Sequence, residues 1–245
     1  MRVAAYWPLR VSTLLEMSDK VHTSVIIPVR DGENFLEQAI VSVLGQLLSG
    51  DQLIVVANDS SDASYSIAAR FTPRVTLLKC ATIGPSAARN HGLKRATGEH
   101  IAFLDHDDLW PAGRHRALLD ALNKDPSADA ATGRVVIRYE GSGPQRSFAH
   151  LDRQIAPEVL LWSSLFRRRI IDQVGYFDEE YRLQEDVEYA LRLRDAGIRY
   201  AKCDVDALVY RRHDRNATHD AARVRQGLLD AVRLNLARKR TCSRS

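Results

Sequence analysis

The sequence predicts a single α/β domain built on a doubly wound, mostly parallel sheet with flanking helices, and three observations carry that prediction. Short apolar, β-branched runs alternate with segments of helical period through the first 110 residues. Each of those runs ends in a polar turn, so the ends of several strands are expected to line one edge. Neither Gly-x-Gly-x-x-Gly nor a Gly-Lys-Ser/Thr loop follows the first run, which separates the chain from dinucleotide-binding domains and P-loop enzymes.

Residues 23–27 form the first expected strand, closed by Pro28 and the turn Arg30-Asp31-Gly32. Phe35, Leu36, Ala39, Ile40, Val43, Leu44 and Leu47 then recur at helical spacing, with Asp31 as the expected N-cap. Gly50-Asp51 breaks this helix, and residues 52–57 are the second strand. Asn58-Asp59-Ser60-Ser61-Asp62 opens a second helix running to Arg70, and residues 75–78 are a third strand after Pro73. A helix from Gly84-Pro85-Ser86 to Ala96 is stopped by Thr97-Gly98. The fourth strand, His100-Ile101-Ala102-Phe103-Leu104, runs directly into Asp105-His106-Asp107-Asp108.

The second half is less regular. A strand is expected at 133–139, a loop at 140–144, helices at 167–174 and 185–196, a strand at 206–210 and a long helix at 219–240. Gly175 and Gly197 stop the two shorter helices. Residues 145–165 carry no readable pattern. The domain is therefore bounded at 21–218, with a flexible extension at 1–20 and an amphipathic helix with a basic tail at 219–245.

At 245 residues, with 45% hydrophobic and 27% charged side chains, the chain has the composition of a soluble globular protein. No stretch approaches the ~20 apolar residues of a membrane-spanning helix, and the first 20 residues lack the form of a signal peptide. A cytoplasmic protein is expected. Cys80, Cys203 and Cys242 are too scattered for a disulfide framework or a zinc site, and Cys80 and Cys203 are expected to be buried. A net charge of +4 with no binding module gives no case for nucleic acid.

The acidic loop points to chemistry. Three carboxylates within four residues repel one another unless a cation lies between them, and magnesium or manganese prefers oxygen ligands shared with substrate phosphates. The competing reading makes Asp108 the N-cap of the next helix. A second acidic pair, Glu185-Asp186, opens a helix and either complements its dipole or supplies a general base.

With these pieces in order the chain resembles the family 2 glycosyltransferases of the GT-A fold. The resemblance rests on Ser24-Val25-Ile26-Ile27-Pro28-Val29, residues 54–62, Ala88-Arg89-Asn90-His91-Gly92, residues 98–108, Val174-Gly175-Tyr176-Phe177-Asp178 and Glu185-Asp186. It implies inverting transfer of a sugar from a nucleotide-diphosphate sugar to an acceptor hydroxyl, with Mg2+ or Mn2+ on the diphosphate. Residue by residue, it makes Asp107 a metal ligand, Asp105 a metal ligand or ribose contact, and His213 a third metal ligand. Asp186 becomes the catalytic base, with Glu185 as the alternate. Pro28, Val29, Asp31, Asn58, Asp59, Arg89, Asp105, Asp108 and Arg212 are the implied donor-binding residues, Arg211 standing beside Arg212 as a second diphosphate contact.

Ala57 stands where the family's uracil-contacting Asp is expected, which leaves the base contact to Asn58 or Asp59. A UDP-sugar leads as donor, with GDP and dTDP open. The acceptor has no signature. Trp162 and Phe148 are read as core in preference to sugar-stacking platforms. The terminal helix, with Val224, Leu228, Val232 and Leu236 in register, is expected to pack on the domain or on a dimer partner, with peripheral contact to a membrane as the alternative. Two other classes compete with this reading: a catalytically degenerate nucleotide- or partner-binding protein, and a nucleotidyltransferase.

Overall fold

The computed structural model describes residues 23–140, 149–151, 161–181, 184–214, 216 and 221–242. The expected extension at 1–20 and Phe148 lie outside these residues. The strands are β1 (Thr23–Val29), β2 (Gln52–Ala57), β3 (Val75–Lys79), β4 (His100–Phe103), β5 (Ala130–Tyr139), β6 (Ala149–Leu151), β7 (Ser164–Arg167) and β8 (Tyr200–Arg212). The helices are α1 (Leu36–Leu44), α2 (Ser64–Ala69), α3 (Pro85–Arg95), α4 (Arg114–Lys124), α5 (Arg168–Val174), α6 (Glu185–Asp195) and α7 (Ala221–Cys242).

All eight described strands join one sheet, ordered β3-β2-β1-β4-β7-β5, with β8 along one flank of β5 and β6 sharing the other flank with β7. β1 pairs in parallel with β2 and β4, β2 with β3, and β5 with β8, while β6 and β7 run antiparallel. The mixed, mostly parallel sheet is the one the alternating pattern predicts. Parallel strands covered on both faces are apolar nearly throughout, and β1 and β2 follow this after their first polar residues: Val25, Ile26, Ile27, Ile54, Val55 and Val56 are all fully buried. Pro28 survives inside β1 because its missing N–H points toward β4, whose ladder with β1 has already ended at Ile26↔Phe103.

From β1 the chain winds outward through β2 to β3, then returns across β1 to β4. The reversal puts α1 and α2 together on one face and α3 against β1 and β2 on the other. Gly92 sits where α3 crosses β1, and a Cβ there would lie 2.6 Å from Ile26 Cγ2. Val29 and Phe103 therefore end neighbouring strands whose connections diverge, the crevice in which open α/β sheets bind ligands.

Three local expectations are corrected. α1 begins at Leu36 after Phe35, so Asp31 is not its N-cap; Asp31 has φ 51 and accepts from Ser61 N and Oγ at 2.8 and 3.0 Å. The last strand is 13 residues long, far longer than the apolar stretch. Lys202, Asp204 and Asp206 hide it, because β8 is half-exposed and pairs with β5 through register breaks at Arg134. Cys203 is half-buried, whereas Cys80 is buried as expected.

Behind the acidic loop lies a buried arginine. Arg114 is fully buried; its Nε donates to Ala207 O at 2.7 Å, and Nη2 to Ser164 O and Trp162 O at 3.0 and 3.3 Å. Its guanidinium lies 4.0 Å from the Trp110 ring centre. Burial pushes its pKa down to about 9. One side chain thus fastens the start of α4 to β7 and β8.

Candidate active site

β4 delivers its chain end to the crevice. Leu104 N still donates to Ile26 O at 3.1 Å, and the next residues turn, Asp108 N donating to Asp105 O at 3.1 Å. The turn gathers Asp105, Asp107 and Asp108 so that one carboxylate oxygen from each lies within 4.8 Å of the others.

Three charged carboxylates at that spacing cost roughly 3.5 kcal/mol per pair at an effective dielectric of about 20. β8 holds them together. Leu109 and Val209 exchange backbone hydrogen bonds at 3.1 and 2.9 Å. Arg211 N donates to Asp108 Oδ1 at 2.9 Å. The buried Arg211 side chain donates to Asp107 O, to Gln38 Oε1 at 2.5 Å and to Phe35 O at 3.3 Å. This corrects one expectation: the Arg211 guanidinium positions the acidic loop and is spent on the protein. Arg212, its neighbour, is exposed at the end of β8.

The last two pieces follow β8. His213 Nε2 lies 3.1 Å from Asp107 Oδ2, its ring stacked 4.2 Å from Phe35. Asn216 Nδ2 donates to the same oxygen at 3.2 Å, and Asn216 Oδ1 accepts from His213 N at 2.5 Å. Asp107 and His213 therefore meet, as the metal-ligand reading requires. The sequence assigns Asn216 no role of its own; its one signal is its place in the run Arg211-Arg212-His213-Asp214-x-Asn216-x-Thr218, which resembles a motif of some bacterial family 2 members.

The donor set fits a hard divalent cation. Burial, then the Asp107 and Asp105 charges, hold Asp108 well above the usual carboxylate range, and its Oδ2 is buried without a hydrogen-bond partner. Burial also raises Asp105, opposed by Arg89 and assisted by Asp107. A cluster that resists ionising when bare, with an unpaired buried oxygen, is one that a cation would stabilise.

A second carboxylate centre stands at the start of α6. Gln184 turns the chain with φ 58 and Glu185 and Asp186 follow. Asp186 is half-buried, its Oδ1 accepting from Val187 N at 2.9 Å. Burial, then the Glu185 charge, push it up to about 7 against the pull of Arg89. Glu185 is paired: Arg89 Nη1 donates to its Oε1 at 2.5 Å, while Nη2 donates to Asp105 Oδ1 at 2.9 Å. Arg89, expected to contact the donor, is 3% exposed, and its two terminal nitrogens are engaged by Glu185 and Asp105.

The nucleotide-side expectations divide similarly. The loops after β1 and β2 are stitched together: Gly32 N donates to Ser64 Oγ at 2.8 Å, Glu33 N to Asp62 Oδ2 at 2.9 Å and Ala63 N to Glu33 Oε2 at 3.2 Å. Asp31 belongs to this seam. His106 packs on Gly32, where a Cβ would lie 2.2 Å from the imidazole Cδ2. Asn58 is buried and spends its amide on Thr82 O, Cys80 O and Gly84 N at 2.6, 3.3 and 2.9 Å, so its side chain does not have the free edge that a base contact needs. Val29 O accepts from Asn58 N at 2.8 Å and is likewise used. Pro28 is buried in the strand, and Asp59, at φ 54, is exposed at the rim. Trp162 is core as expected, 5% exposed and stacked under Arg89 at 4.4 Å.

Known proteins resemble the chain in sequence and in fold. The model of the family described as Glycosyl transferase family 2 matches residues 24–183. The chain is 29% identical over 218 residues to the uncharacterized glycosyltransferase EpsJ of Bacillus subtilis, covering 80% of this chain and 62% of EpsJ. It is 38% identical over 189 residues to the minor teichoic acid biosynthesis protein GgaB of the same organism, covering 71% of this chain and 21% of GgaB. Among solved structures, S. aureus TarS 1-349 in complex with UDP-GlcNAc superposes with a TM-score of 0.73 at 20% identity, covering 88% of this chain and 65% of that one. The likeness to TarS is one of fold, and the chain spans about six-tenths of the length of EpsJ.

Proposed function

The chain belongs to glycosyltransferase family 2, and from that premise we propose that it is an inverting, metal-dependent glycosyltransferase acting on a nucleotide-diphosphate sugar. One observation carries the reading: an acidic cluster at the crevice edge is paired with a separate carboxylate, Asp186, pushed up to about 7. A group with that pKa takes and returns a proton efficiently near neutrality.

In the proposed reaction Asp186 accepts the proton of the acceptor hydroxyl as its oxygen attacks the anomeric carbon. The bond from that carbon to the diphosphate oxygen breaks on the opposite face, and its electron pair leaves with the nucleotide diphosphate. Glu185 is engaged by Arg89 Nη1, which leaves Asp186 as the base. Asp105, Asp107, Asp108 and His213 would hold Mg2+ or Mn2+, which supplies positive charge to the departing diphosphate. Asp59, Asp31 and Arg212 stand at the rim, where donor base, ribose and phosphates would lie.

UDP leads among donor nucleotides, supported by the fold that TarS shares while bound to UDP-GlcNAc. The acceptor is a hydroxyl of unassigned class. No described helix is long and apolar enough to cross a membrane. The proposed setting is the cytoplasm, with α7 as the surface that meets either a second copy or an anionic membrane. The direct test is release of UDP from UDP-GlcNAc by the purified chain with Mn2+ and with EDTA. Turnover that persists in EDTA, or in Asp107→Ala, would sink the metal-dependent mechanism.

A further inference from the structure

We propose that Arg89 is a positioning residue that fixes Asp186 relative to the acidic loop by gripping Asp105 and Glu185 on one guanidinium. The inference rests on the reading of Asp186 as the base, and it assigns to Arg89 a role distinct from touching the donor.

The case begins with α3. The helix is seated on β1 at Gly92, where close approach leaves no room for a side chain, so its register on the sheet is fixed. Two consecutive residues of that helix then take hold of later segments. Asn90 Nδ2 donates to Phe177 O and to Glu179 Oε1, both at 2.9 Å, and Asn90 Oδ1 accepts from Phe177 N at 2.9 Å. Arg89 reaches one carboxylate on each side, at 2.5 Å to Glu185 and 2.9 Å to Asp105.

The guanidinium itself cannot wander. Its Cζ lies 4.4 Å from the Trp162 ring centre and 5.5 Å from that of Phe177. Arg114 in turn holds Trp162 through its carbonyl. A planar fork with two carboxylates on different nitrogens fixes both distance and angle, which a lysine ammonium would not do. Without it, Asp105 and Glu185 would face each other as unpaired, largely buried charges, and the start of α6 would be free to drift from the metal loop.

Among the described residues, Glu185 and Asp105 raise the Asp186 pKa, Arg89 lowers it, and Tyr181 has its own pKa raised in part by the Asp186 and Glu185 charges. Positioning by Arg89 therefore has an electrostatic signature besides the geometric one. Loss of Arg89 moves the Asp186 titration to higher pH, and loss of the Glu185 charge moves it to lower pH.

The test compares Arg89→Met, Arg89→Lys and Glu185→Gln with the wild-type chain. Affinity for UDP with Mn2+ is read by calorimetry, and kcat against pH by UDP release from UDP-GlcNAc. Expected are a UDP Kd within about threefold of wild type in all three, a kcat lowered roughly 30- to 100-fold in Arg89→Met as misplacement alone can produce, and a partial recovery of kcat in Arg89→Lys. The acid limb of the profile should move up in Arg89→Met and down in Glu185→Gln. A UDP Kd that rises in step with the loss of kcat makes Arg89 a donor contact and overturns the proposal. So do limbs that stay put or move together. If Arg89→Met does not fold, the Glu185→Gln limb decides alone, and an unmoved limb overturns it. A wild-type chain inert toward every nucleotide sugar overturns the transferase reading itself, a result separate from any of these.

Discussion

His213 Nε2 and Asp107 Oδ2 lie 3.1 Å apart, a contact that ties the end of β8 to the acidic loop 106 residues earlier. A metal shared by these two groups would replace that hydrogen bond. His213→Ala should therefore weaken Mn2+ binding about 10- to 100-fold, and Asp107→Ala should abolish it, both read by calorimetric titration. Equal affinity in His213→Ala and wild type would remove His213 from the ligand set.

The pH profile of the wild-type enzyme should show an ascending limb near pH 7. Asp186 works as a base only when ionised, and its pKa is pushed up to about 7, so activity rises as pH climbs through that value. Asp186→Asn should lower kcat by at least about 100-fold, the scale of general-base catalysis, while UDP binding is retained. A profile flat from pH 5.5 to 8.5 would exclude Asp186 as the group being titrated.

Stability of the metal-free chain should respond to Asp108 with a defined sign. Its folded pKa is raised well above the unfolded value, so folding binds a proton there and the penalty for ionising grows as pH rises above the unfolded pKa of about 3.9. Asp108→Asn keeps the oxygen that accepts from Arg211 N and drops the charge. The variant should melt higher than wild type at pH 7, with the gain vanishing toward pH 3.5, and it should lose the stabilisation that Mn2+ gives the parent. A lower melting temperature at pH 7 would contradict the repulsion described here.

Nucleotide specificity is open to a thermal-shift comparison of UDP, GDP, dTDP and CDP with Mn2+. A fitting nucleotide at 100 times its Kd adds about 2.7 kcal/mol. UDP should give the largest shift and EDTA should remove it. No shift with any of the four would favour a chain that does not use a nucleotide donor.

α7 carries Leu229, Val232 and Leu236 exposed on one face, while Ala231 packs against Val187 and Leu191 of α6. Of the apolar stripe expected to pack, Leu228 joins that contact, whereas Val232 and Leu236 face outward and leave a bare stripe that requires a partner. With Arg225 and Arg233 exposed on the same helix, flotation with vesicles rich in anionic phospholipid, and its loss in Leu229→Asp with Leu236→Asp, would identify that partner as a membrane. A concentration-dependent dimer without flotation would instead identify a second copy.

Much of the sheet half was legible because a strand buried on both faces is nearly continuous in apolar residues, and residues 25–29, 53–57 and 101–103 follow that rule. Asp105, Asp107 and Asp186 stood out only through their place in a series of motifs, because Asp-x-Asp-Asp and Glu-Asp are each common by chance. What escaped is what depends on long-range contact. Asn58 looked like a ligand for a nucleobase, and only the fold shows its amide closing the 80–84 turn. Arg211 and Arg212 are indistinguishable in sequence, yet one is buried in the acidic loop and the other is exposed. β7 was invisible because four residues wedged antiparallel between β4 and β5 carry no periodicity of their own.

The arginine grip also has a temporal consequence. Arg89 waits 96 residues for Glu185, Asp107 waits 106 for His213, and Gln38 waits 173 for Arg211. During synthesis at about 5–20 residues per second, the first four strands can pair while the acidic loop still lacks β8, so the nascent chain carries its mutually repelling carboxylates for roughly 5–20 s before the later half arrives to restrain them. On the metal-binding reading proposed above, a divalent cation captured in that interval would favour the native turn before the rest of the domain exists.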